Sequence, residues 1–75
     1  MKVKFSRHAK RRAKLYNIAE SAISDILKNM NLLQGEHELI RNVGGFQYPL
    51  KIVVSVEGDT VTVITNYPLK KGRKK

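Results

Sequence analysis

Between residues 38 and 67 the apolar side chains recur at every second position, and glycine interrupts the run twice. ELIRNV meets FQYPLKIVVSV across Gly44-Gly45, and KIVVSV meets TVTVITNY across Gly58-Asp59. A period of two is the signature of a strand with one buried face, and glycine accepts the positive φ that tight hairpin turns require. The pattern therefore predicts an antiparallel meander. Two-residue loops would also set its register. Across the first, Arg41 is expected to face Tyr48, Leu39 to face Leu50 and His37 to face Ile52. Across the second, Val56 faces Val61, Val54 faces Val63, Ile52 faces Thr65 and Leu50 faces Tyr67. One face then carries Leu39, Val43, Phe46, Leu50, Ile52, Val54, Val56, Val61 and Val63, while Glu38 meets Lys51 on the other. Thr65 and Tyr67 continue the alternation of Val61 and Val63, so they are expected on the covered face. Pro49 has no amide to donate and predicts a bulge or an unpaired position.

The cover for that face must come from the first half of the chain. Ser6 is a suitable N-cap for a helix over Arg7–Tyr16, whose apolar side is thin: Ala9, Ala13 and Tyr16. Asn17 is a natural stop. Ile18, Ala22, Ile23, Ile26, Leu27 and Met30 then recur at helical spacing, predicting a second, amphipathic helix of about 12 residues. KVKF, ahead of both, has the makings of a short first strand. The fold class expected is α+β, two N-terminal helices packed on a three- to four-stranded antiparallel meander. A chain of 75 residues accommodates one such domain, placed at 1–69, with 70–75 as a flexible basic arm.

Charge narrows the function. Fifteen Lys and Arg oppose six Asp and Glu, for a net charge of +9. The cations are concentrated at the two ends, in residues 2–14 and 70–75, and every acid lies between. This polarisation is the footprint of a polyanion binder. Arg7, Lys10, Arg11, Lys14, Arg41, Lys70, Lys71 and Arg73 are the candidate phosphate contacts, with RNA the expected partner and DNA an alternative. The chain contains no cysteine, which rules out disulfides, thiol nucleophiles and thiolate metal sites. His37 sits between Glu36 and Glu38, yet strand neighbours point to opposite faces, so no metal site is expected there. No cofactor is expected either. No apolar run nears the roughly 20 residues of a membrane span, and the basic N-terminus lacks the apolar core of a signal peptide. A soluble cytoplasmic protein is the expectation.

Two motifs carry more. FSRHAKRR, Phe5 to Arg12, and VTVITNYPL, Val61 to Leu69, contain F-x-x-H-A-x-x-R and V-x-V-I-T-x-Y-P. In these motifs, and in element order along nearly the whole chain, the sequence resembles a family of small bacterial and archaeal domains related to the RelE/ParE toxins and the barnase–EndoU–RelE ribonucleases. The resemblance implies a RelE-like fold and metal-independent cleavage of RNA. Such a reaction needs a base for the 2′-hydroxyl, an acid for the leaving oxygen and cations at the phosphorane. His8 is then the acid or base, and Arg12, one helical turn away, holds the phosphate in bidentate fashion. Thr65 or Tyr67 donates to a non-bridging oxygen, or Tyr67 stacks on a base. Arg41 beside Tyr48 is a secondary anchor. The resemblance further implies an acidic, antitoxin-like protein partner. Beside the enzyme stand two plainer readings, a nucleic-acid-binding module without catalysis and an interaction domain docking an acidic partner.

Overall fold

In a computed structural model, which describes residues 2–43 and 48–69, the order of elements is β1 (Lys2–Phe5), α1 (Arg7–Leu15), α2 (Glu20–Lys28), β2 (Gly35–Arg41), β3 (Leu50–Glu57) and β4 (Thr60–Pro68). The strands form one sheet in the order β1-β4-β3-β2. Ala9 and Ala13 of α1 join Ile23 and Leu27 of α2 in a single buried cluster with alternate strand residues, so both helices lie on one face of the sheet. The α+β class is as expected.

The sheet is mixed, not antiparallel. KVKF does form a strand, but it pairs parallel with β4, Lys2 opposite Thr60 through Phe5 opposite Val63. Bonds at both ends hold this pairing: the Lys2 amide donates to the Asp59 carbonyl at 2.7 Å and the Ser6 amide to the Val63 carbonyl at 2.9 Å, and α1 starts at the next residue.

α1 is well delimited at both ends. The Ser6 side chain accepts from the Ala9 amide, satisfying one of the donors left open in a first turn. At the other end Asn17 takes φ 57°, a left-handed conformation in which Asn is enriched. The Ile18 amide reaches back to the Ala13 carbonyl at 2.8 Å and the Asn17 amide to Lys14 at 3.3 Å. These are the two bonds of a Schellman motif, and buried Ile18 seals it.

The β3–β4 hairpin turns at Gly58-Asp59 as read from sequence, with Glu57 opposite Thr60 and Gly58 at φ 58°. Gln34 clasps this turn: its Oε1 accepts from the Gly58 amide at 2.9 Å, and its Nε2 donates to the Gly58 carbonyl at 3.3 Å. The β2–β3 register departs from expectation by two residues. Arg41 opposes Leu50 and Leu39 opposes Ile52, so the intervening connection is longer than a two-residue turn. Gly44-Gly45 and Phe46 themselves lie outside the described residues. A shift of two preserves the faces, because side chains repeat with that period. Phe46 aside, the expected core face therefore survives, and Lys51 still reaches Glu38, as a diagonal pair at 3.2 Å.

A second departure has larger consequences. Val54 pairs with Val63, but Val53 pairs with Thr65, leaving Ile64 as an extra residue in β4. A bulge of this kind inverts the facing of everything beyond it. Ile52 consequently opposes Asn66 instead of Thr65, and Leu50 opposes Pro68 instead of Tyr67.

Candidate nucleic-acid interface

α1 buries little. Ala9 and Ala13 are its buried residues, and small methyl groups let a helix approach a sheet closely while leaving most of its circumference outside. Arg7, Arg11 and Lys14, at i, i+4 and i+7, share the outward side and are all exposed. Their span along the helix axis is about 10.5 Å. Exposed Lys10 flanks this stripe on one side; exposed His8 and half-buried Arg12 flank it on the other. Leu15, 65% exposed, sits beside Arg11 and Arg12.

Arg12 and Lys14 in the last turn suit the helix dipole, but the rest of the electrostatics of this helix works against its own stability. It contains five Lys or Arg residues and no acid, and its first turn opens with Arg7 where the macrodipole favours an anion. Arg7–Arg11 and Lys10–Lys14 are like-charge pairs four apart, each destabilising by about 0.2–0.5 kcal/mol. Among the described residues the one ion pair is Lys51–Glu38, so no cation of α1 is neutralised by a described acid.

The bulge decides where the other candidate residues go. Asn66, fully buried, occupies the position beneath α1; its Nδ2 donates to the Ala9 carbonyl at 3.3 Å, and its Oδ1 has no partner among the described atoms. Thr65 and Tyr67 face the opposite side of the sheet, which no described helix covers, and are half-buried there. The expectation that they would lie on the helix-covered face with His8 and Arg12 is therefore overturned. The structure does bring His8 and Arg12 together on one flank of α1, and it separates that pair from Thr65 and Tyr67 by the thickness of the sheet.

Tyr67 instead stands opposite Lys51. The hydrogen bond and charge of Glu38 push the Lys51 pKa up, with a smaller contribution from Tyr67, so Lys51 is held protonated. Arg41 does not oppose Tyr48. It lies across from Leu50, donating to the Ile40 carbonyl at 2.9 Å and to the Met30 sulfur at 3.7 Å, at the rim of the covered face. Lys70, Lys71 and Arg73 lie outside the described residues.

Among the described residues no group of three or more His, Asp and Glu is placed to hold a metal, and no helix is long and apolar enough to cross a membrane. Two participants escaped the reading of the sequence. From the sequence Lys51 has only a pairing role with Glu38, and Asn66 none, since strict alternation puts it on the open face. The one early signal was Ser6: the hydroxyl that caps α1 also donates to the carbonyl of the bulged Ile64, at 2.8 Å. No family model, no curated protein and no solved structure matches this chain.

Proposed function

We propose that this chain is a small basic RNA-binding protein that grips the phosphate backbone through the outward face of α1. The observation that carries the reading is the unneutralised stripe Arg7–Arg11–Lys14 with Lys10 beside it, on a helix whose packing face is two alanines. A helix that repels itself gains stability from a bound polyanion, and Lys and Arg contacts to phosphate release counterions on binding. Arg and Lys on this face can hold phosphates whatever the base sequence, and those contacts set position and affinity.

Metal-independent cleavage, the activity implied by the RelE-like resemblance, is the narrower second reading. What favours it is His8 and Arg12, one turn apart on the same flank: a group able to carry a proton beside a group able to hold a phosphate. Thr65 and Tyr67 lie across the sheet and give this pair no help in the arrangement described.

The test is titration of labelled RNA with the purified protein at several salt concentrations, in excess EDTA. Affinity is expected to fall steeply with salt, and Arg11→Ala to flatten the log–log slope by about one unit. Loss of cleavage in His8→Ala with affinity within a few-fold supports the enzymatic reading; intact RNA with unchanged binding removes it. Salt-independent binding, or displacement of RNA by an acidic protein at lower concentration than by RNA itself, sinks the proposal and favours a protein-docking domain. Equal affinity for DNA duplexes moves the substrate class from RNA to nucleic acid in general.

A further inference from the structure

A buried amide whose oxygen has no partner among the described residues is an unusual thing to keep beneath a helix. An aliphatic side chain of similar volume would fill the same space with no polar atom to satisfy. Asn66 is fully buried; among the described residues its Oδ1 has no partner and its Nδ2 makes one bond, to the Ala9 carbonyl at 3.3 Å. It faces α1 because of the extra residue at Ile64.

The other contacts of α1 explain what the amide does there. Within the helix only Ala9 and Ala13 are buried, and the larger apolar contacts, Phe5, Tyr16 and Ile18, lie just beyond its ends, so packing along α1 itself constrains its rotation weakly. Two directional attachments determine it. At the start of the helix, Ser6 donates through its amide to Val63 and through its hydroxyl to Ile64, at 2.9 and 2.8 Å. One turn on, Asn66 holds the Ala9 carbonyl. Both fall on the β4 segment that contains the bulge. Successive residues of a helix are about 100° apart, so a rotation of one residue would carry the stripe of Arg7, Arg11 and Lys14 round toward the sheet and bring a flanking side chain out in its place.

We propose that Asn66, turned to the covered face by the β4 bulge, is the positioning residue that sets the rotation of α1 and thereby which cations face the phosphate backbone. This rests on the RNA-binding reading for its consequence. The positioning itself is a property of the protein alone.

The experiment uses the whole chain with Asn66→Leu, and Asn66→Ala as the variant that removes the amide without overfilling the space. Residual dipolar couplings of the α1 amides report its rotation without RNA; thermal unfolding and salt-dependent RNA titration complete the set. In Asn66→Leu the couplings along Arg7–Leu15 are expected to change. The Tm is expected to hold or rise, while RNA affinity at low salt falls by about three- to tenfold with a shallower salt slope. A residue that merely stabilised the fold would move Tm and affinity down together. Unchanged couplings in the variant that folds, or unchanged affinity and slope where Arg11→Ala does weaken binding, overturn the proposal. If Arg11→Ala leaves RNA affinity untouched while the couplings shift, the binding reading fails and the positioning role stands.

Discussion

α1 and α2 have the same length, nine residues, and cover the same face of the same sheet, yet they are held by opposite means. α2 buries Ile23 and Leu27, with Ile26 and Met30 partly buried behind them. It has an acid, Glu20, in its first turn and a cation, Lys28, in its last, both in accord with the helix dipole. Its N-cap is Ala19, which makes no side-chain bond, so packing carries it. α1 shares the cations in its last turn, Arg12 and Lys14, and reverses the other features. It has a bonded cap at Ser6, a Schellman motif at Asn17, alanines for a core face and repulsion along its outer side. Large buried side chains hold α2 to the sheet, whereas α1, with its charged outer surface, is held by directional bonds at its ends and at Ala9.

The largest loss of stability is expected in α2. Leu27→Ala removes a fully buried side chain and leaves a cavity, an expected loss of about 2–5 kcal/mol by urea or thermal unfolding. For variants still folded at the assay temperature, RNA affinity should stay near that of the parent chain. A loss below about 1 kcal/mol would mean that α2 is not the principal cover.

Ser6→Ala attacks α1 through its polar attachment instead. The cap contributes about 1 kcal/mol, and the Ile64 carbonyl loses its donor as well, so a cost near the top of the usual 0.5–2 kcal/mol range is expected. Amide exchange should quicken in α1 before α2. Equal acceleration in both helices would contradict the division drawn between them.

The smallest effect is expected at the uncapped start of α2. Ala19→Asp offers α2 the cap it lacks and adds an anion to its first turn, with an expected gain of about 1 kcal/mol, or about 4–8 °C in Tm for a domain of this size. RNA binding should not change. No gain would indicate that water already satisfies the first-turn amides of α2.

Much of the architecture was legible because it follows from short-range rules. Alternation over residues 50–57, the glycine at position 58, the cap at Ser6 and the stop at Asn17 each act within a few residues, and each is found where chain chemistry puts it. The set of residues on the core face also survived a two-residue error in the β2–β3 register, since that error leaves side-chain facing intact. The basic character of α1 was equally plain, because a helix with two alanines to bury must turn its cations outward.

The candidate site fared differently, and for a definite reason. Val61, Val63, Thr65 and Tyr67 read as one uninterrupted face, and nothing in those residue types marks an insertion between Val63 and Thr65. The bulge is stabilised from outside the strand, by Ser6 some 58 positions earlier in the chain. Its effect is one residue of register, and one residue exchanges faces: Asn66 goes under the helix, while Thr65 and Tyr67 go to the far side beside Val53 and Lys51. The parallel pairing of β1 has the same origin, a contact between distant segments. Local chemistry thus determined the elements, the core face and the basic surface of this protein. The tertiary structure alone decided which polar side chains share a face, because strand facing has a period of two and a single long-range contact suffices to invert it.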